Sequence, residues 1–368
     1  MSSTPLAPCP KPLFVHALAA TATAMLLAGC GGGGSGGASA PAAAPPPLNA
    51  QAPAPAPAPA SNKAPVGDAG KAQVARVGTA SQLDGSASKD EDGDTLSYAW
   101  TLTSKPAASN ATIADSTAIK PSFTPDVAGT YVASLVVSDG KTSSAVATVN
   151  LLAEAAAFDS VAAPFPPNMA SYGFEAKSLV SLGDKVTLAA GTPRLLRSVT
   201  VAMSSWACQT GSWDAGTCAS AANATFDHPV TIRLLDASGH ELTTLTKTFA
   251  MPYRPTADAT CTDPKQWRAA ADNKCYNGFA FKLNFDLSDL KLVLPDTVIY
   301  EVAYNTQHRG AAPTGVSGPY DSLNVGVRKV SDVAPSVGTD FAQAFNRQNG
   351  NDTADGYSPM AQIVVTAP

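Results

Sequence analysis

Four cysteines carry the most constrained chemistry in the chain. Cys208 and Cys218 bracket Gln209 to Thr217, and Cys261 and Cys275 bracket Thr262 to Lys274. Four cysteines permit three pairings. The nearest-neighbour pairing closes each polar loop on itself and stabilises by about 3 kcal/mol per loop in the chain-entropy picture. A zinc site built from all four thiolates would need C-x-x-C pairs, and there are none. Aromatic residues crowd the same loops: Trp206 and Trp213 around the first pair, Tyr253, Trp267 and Tyr276 around the second, with Tyr304, His308, Tyr320 and Asn324 further on. Aromatic faces beside amides suit the flat C–H faces and hydroxyls of sugar rings. Trp206, Tyr253, Trp267, Tyr276, Tyr304, Tyr320 and Asn324 therefore form the candidate ligand-binding set. Packing at the rim of the fold is the competing use of Trp206 and Tyr304.

The acidic run Asp90-Glu91-Asp92-Gly93-Asp94 offers Asp90, Asp92 and Asp94 as oxygen ligands for calcium. It does not follow the EF-hand pattern, because Gly93 is fourth and Thr101 twelfth in the run. An acidic turn whose short side chains cap the backbone is the alternative. No other cofactor is expected. Catalytic patterns are missing: His228, His240 and His308 fall in no H-E-x-x-H, there is no G-x-S-x-G, and nothing in the sequence brings Glu301 beside Asp321. The expectation is a protein that is not an enzyme.

The elements that must hold these residues are strands. Leu96, Tyr98, Trp100 and Leu102 alternate with polar or small residues, as do Tyr131, Ala133, Leu135 and Val137; Val146, Val149 and Leu151 mark a closing strand. Further on, strands are expected at Lys185 to Leu188, Arg197 to Met203, Val230 to Leu235, Glu241 to Ala250, Phe279 to Leu287, Val298 to Tyr304, Leu323 to Val327 and Gln362 to Thr366. Phe279, Phe281, Leu283, Phe285 and Leu287 give the cleanest oily face. The fold class is all-β, with one sandwich in residues 62–154 and a larger, disulfide-braced, jelly-roll-like sandwich in residues 155–368. Hydrophobic residues make up 45% of the chain and charged ones 14%, with a net charge of −5, so no basic face invites nucleic acid.

The first sandwich resembles the PKD (polycystic kidney disease) domain, an immunoglobulin-like fold. The resemblance rests on Pro65-Val66-Gly67-Asp68-Ala69-Gly70, Leu83-Asp84-Gly85-Ser86, Asp92-Gly93-Asp94, Tyr98-Ala99-Trp100, Asp126-Val127-Ala128-Gly129-Thr130-Tyr131 and Val136-Val137-Ser138-Asp139-Gly140. It implies an extracellular spacer or adhesion module. Trp100 is then expected in the core, and Tyr131 at a tyrosine corner. The second sandwich, through Tyr172-Gly173-Phe174-Glu175, Met203 to Cys208, Pro252-Tyr253-Arg254-Pro255, Cys275-Tyr276-Asn277-Gly278 and Tyr320 to Asn324, resembles a family of uncharacterised exported bacterial proteins, which implies no catalytic residue.

Upstream, Lys11, the apolar run Leu13 to Leu26 and Leu27-Ala28-Gly29-Cys30 have the layout of a secretory signal, too short to span a bilayer. Leu-Ala-Gly-Cys is similar to the lipobox of bacterial lipoproteins. The resemblance implies that residues 1–29 are a signal peptide, that Cys30 is lipidated, and that, with Gly31 next, the protein sorts to the outer membrane. Residues 30–61, rich in Gly, Pro and Ala, are expected to be a disordered tether, extended where Ala-Pro repeats. The expected whole is an exported surface lipoprotein, membrane-bound through its lipid, that binds glycan or another envelope component. A polysaccharide hydrolase and a purely structural envelope protein are the alternatives. Cys30→Ser is expected to release the protein from the membrane fraction on sedimentation; unchanged partitioning would contradict the anchor.

Overall fold

The computed structural model describes residues 61–173, 181–304, 323–329, 331, 334–345 and 356–367. Cys30, the expected signal and all of the expected tether but Ser61 lie outside them. Along the first part run β1 (Gln73–Arg76), β2 (Ser81–Gln82), β3 (Ser97–Ser104), β4 (Ile113–Ala114), β5 (Ser122–Phe123), β6 (Gly129–Ser138) and β7 (Ala147–Asp159). There follow β8 (Ser171–Gly173), β9 (Leu182–Thr187), β10 (Leu195–Ser205), β11 (Thr225–Asp236), β12 (Glu241–Pro252), β13 (Trp267–Arg268), β14 (Cys275–Tyr276), β15 (Phe279–Asp286), β16 (Thr297–Ala303), β17 (Leu323–Lys329), β18 (Thr339–Phe345), β19 (Tyr357–Pro359) and β20 (Ala361–Thr366). The fold is all-β.

In the first module β3, β6 and β7 pair antiparallel, β1 joins β7 in parallel, and β2, β5 and β4 form a small second sheet. The alternating side chains of these strands close one core: Leu83, Trp100, Phe123, Tyr131, Leu135 and Leu151. Trp100 sits inside it, its indole N–H donating to the carbonyl of Ala118 at 3.2 Å. The Tyr131 hydroxyl donates to the carbonyl of Val127 at 2.8 Å, and Ser109 and Asp126 lie within 3.1 Å of it. This bond pins the turn that feeds β6.

In the second module a five-stranded sheet, ordered β12-β11-β16-β9-β18, faces β19, β17, β10 and β20, with β15 and β8 at its side. Phe285, Leu196, Val201 and Met203 from one layer meet Val186, Ile232, Leu234 and Val302 from the other. The β11–β12 hairpin turns at Gly239, whose φ of 89° is the left-handed conformation a glycine adopts without strain. Gly183 is required by contact: a Cβ there would lie 2.0 Å from the carbonyl oxygen of Tyr300.

The expected division at residues 154/155 falls inside β7. The first half of this 13-residue strand pairs with β6 up to Ala153, and the second half pairs with β20 from Ala155 to Asp159. Ala153 lies in the first core, and Ala157 and Phe158 in the second. The register shifts between Ala156 and Phe158, a bulge that buries both Ala157 and Phe158. The Thr366 hydroxyl donates to the carbonyl of Ala153 at 3.1 Å, so β20 continues where β6 begins.

The tyrosine corner carries a pH signature. The Ser109 hydroxyl first, and the Asn110 N–H next, hold the Asp126 carboxyl down to about 2. A depressed pKa contributes stability that is present above the ordinary value of 3.8 and is lost as pH falls through about 2. Asp126→Asn is expected to flatten the acid limb of a plot of Tm against pH across that window. An unchanged slope would contradict the assignment.

Candidate functional site

Several strands of the second module end together. Ser205 is opposite Phe279 on β15 and Leu323 on β17, and Thr225 is opposite Pro252 on β12. From these ends the chain makes two excursions, residues 206–224 and 253–278, each closed by a disulfide. Cys208 bonds Cys218 with Cα atoms 5.3 Å apart, and Cys261 bonds Cys275 at 5.9 Å. Neither loop has a core of its own; inside the second, only the two-residue strands β13 and β14 pair.

Hydrogen bonds join the loops. The Arg254 N–H donates to the carbonyl of Ala207 at 2.9 Å, and the Ala257 N–H to the carbonyl of Cys218 at 3.1 Å. Thr256 and Ser220 bond each other twice, both at 3.0 Å. Arg254 lies beneath, 1% exposed, donating through Nη2 to the carbonyl of Lys265. Burial lowers its pKa to about 10, so it stays charged at neutral pH.

The aromatic candidates divide into two groups. Trp206, Tyr253 and Tyr276 are half-buried, and so is Trp213. Trp206 and Trp213 meet edge to face, ring centres 4.7 Å apart. Tyr253 packs on Phe226 at 4.9 Å, and the Tyr276 hydroxyl donates to Asp272. Trp267, Tyr304 and Asn324 are instead buried, and the expectation of an exposed platform is corrected for all three. Trp267 donates its indole N–H to the carbonyl of Gly278 at 2.8 Å and packs on Phe279. The Tyr304 hydroxyl donates to the carbonyl of Leu323 at 2.6 Å, and the Asn324 amide to Ser171 at 3.1 Å. Of the two residues for which rim packing is the competing use, Tyr304 joins the sandwich core and Trp206 stays half-buried. Tyr320 lies outside the described residues.

Gly278 carries no sequence signal of a site residue, yet it seats Trp206. A Cβ there would lie 2.5 Å from Ser204 Oγ and 2.8 Å from both Asn168 Oδ1 and Trp206 Nε1. Only a glycine lets the indole and the two polar groups approach the backbone so closely.

The remaining candidates have structural partners. Asp90, Asp92 and Asp94 each place a carboxylate oxygen within 4.8 Å of the others. Asp90 accepts the backbone N–H groups of Asp92 and Asp94, Asp92 accepts that of Lys63, and Lys141 pairs with Asp94 at 2.7 Å. This is the bonding of a capped acidic turn. Glu301 is fully buried and accepts from Arg233 at 3.0 Å, which commits its carboxylate to an ion pair. Asp321 and His308 lie outside the described residues.

A family profile for the PKD domain matches residues 69–152. No curated protein matches the chain. Among solved structures, the PKD domain of the KIAA 1837 protein is similar at 24% identity, over 26% of this chain and 92% of that one, with a TM-score of 0.22. Carbohydrate-binding modules of a β-sandwich superfamily match at 11% identity, over 72% and 97%, with a TM-score of 0.26. A nucleoside hydrolase-related hypothetical protein from Saccharophagus degradans, associated with carbohydrate metabolism, matches at 21% identity and a TM-score of 0.23. That match covers 25% of this chain and only 26% of that one, so the chain spans about a quarter of its length.

The loops depend on their crosslinks. Reduction of the two disulfides, with sequence separations of 10 and 14, is expected to remove about 3 kcal/mol each and to lower Tm in a calorimetric scan. An unmoved Tm with free thiols confirmed by mass would contradict this.

Proposed function

We propose that this is a non-catalytic binding protein, exported and displayed from a lipid on Cys30, whose disulfide-braced loop end engages glycan or another envelope component. One observation carries the reading. Half-buried Trp213, inside the loop closed by Cys208–Cys218, meets Trp206 just before that loop, at the end of the sandwich away from the first module. β10 separates the two ends: Leu195 pairs with Thr366 near the first module, and Ser205 opens the loop. Its 11 residues span roughly 35 Å at a strand's rise. Rigid aromatic rings on an immobilised loop lose little conformational entropy on binding, which favours recognition of a flat, weakly charged partner. The two disulfides fit an oxidising compartment. The PKD-like module and the tether upstream then serve as a spacer that carries the loop end away from the membrane.

The test is a glycan array probed with the purified protein. Retention of a discrete glycan class is expected, with Trp213→Ala lowering it at least tenfold while circular dichroism stays unchanged. Retention that survives both Trp213→Ala and Trp206→Ala would contradict the reading. Release of reducing sugar from a retained glycan would replace it with a hydrolase.

A further inference from the structure

A cleft of about 250 Å³ opens where the two modules meet. One wall comes from the first module. Arg76 and Glu154 are direct partners in the parallel β1–β7 register, and Val74, two residues before Arg76, shares its face of the strand. The other wall comes from the second. Asn284 and Asp286 lie two apart on β15, opposite Thr200 and Ser198 of β10. Arg197 ties the walls together, donating from Nε to Glu154 at 3.0 Å.

The lining is a set of donors and acceptors. The Asn284 amide is oriented by its bond to Thr200 at 2.8 Å, and Asp286 by accepting the Ser288 N–H at 3.0 Å. Arg197 balances Glu154. Arg76 is exposed and has no ion-pair partner among the described residues. Val74, 61% exposed, is the one large apolar side chain on the rim. The space is large enough for a small polar molecule of about one sugar ring.

We propose that this cleft is a second ligand site, separate from the loop end, and that it takes a single acidic sugar residue of the uronic acid type. The sugar carboxylate pairs with the guanidinium of Arg76, in the two-bond geometry that arginine offers a carboxylate. The ring hydroxyls, each both donor and acceptor, meet Asn284, Asp286 and Glu154, and a C–H face rests on Val74. Residues from both modules are needed, so neither module alone holds the site.

Calorimetric titration of the detergent-solubilised full chain tests the proposal, with D-glucuronate, D-galacturonate and D-glucose as probes. Binding of either acid, with D-glucose at least tenfold weaker, is the expected result. Arg76→Ala is expected to weaken the acid at least tenfold without moving Tm, because the Arg76 side chain is bonded to nothing the fold needs. Trp213→Ala is expected to leave the titration unchanged, which separates this site from the loop end. Equal binding of D-glucose, an unaffected Arg76→Ala protein, or no saturable heat from either acid would overturn the proposal.

Discussion

A single strand with two sets of hydrogen-bonding partners holds this protein together. β7 gives its first half to the PKD-like sandwich and its second half to the larger one, with no loop between. Backbone bonds run along β7 on either side of Glu154. Glu154, 8% exposed, adds a charge pair with Arg197 at the same point. Two domains on a loop would move independently as a default. Here the side-chain packing follows the backbone, because Ala153 and Phe158, five residues apart, anchor separate cores. The seam cleft exists because the strand fixes its two walls.

The other end of the molecule is organised on a different principle. A sandwich core can order only the residues that face it, and residues 206–224 and 253–278 extend beyond any facing sheet. Covalent closure takes the place of burial there. Tyr304 belongs to the core below and Trp267 is buried against Tyr276 and Phe279, while Trp206, Trp213, Tyr253 and Tyr276 keep part of their surface. The buried Arg254 lies between the two loops, its backbone bonded toward one and its guanidinium toward the other.

Much of the fold is legible in the residues. Apolar runs locate β10, β12, β15, β16, β17 and β20 to within two or three positions, and β15 alternates as expected, whereas β10, β16, β17 and β20 are buried on both faces. Motif and spacing assign Trp100 and Tyr131 to their structural roles. The continuation of β7 is not legible. Ala153-Glu154-Ala155-Ala156-Ala157 lacks the branched and aromatic side chains that mark a strand, yet small residues are what a strand hemmed in by two modules accommodates. β18 escapes notice too; Thr339 to Phe345 shows no clean alternation, and its pairing with β9 shifts register. At the candidate site, composition draws attention to the aromatics but cannot separate Trp267 from Trp213. Both are loop tryptophans near a disulfide, and only the fold shows that Trp267 is buried while Trp213 keeps part of its surface. The seam cleft draws on β1, β7, β10 and β15, which no local pattern connects.

Native-state hydrogen exchange at the amides of Ala153 to Phe158 is the most direct measurement of whether β7 welds the modules. If it does, these amides exchange as slowly as those of Leu135 in the first core and Val199 in the second, and all are released in one cooperative opening. Rapid exchange across Glu154 to Ala156, with the two cores opening at separate free energies, would mean that the modules are joined by a linker and that the cleft between them has no fixed shape.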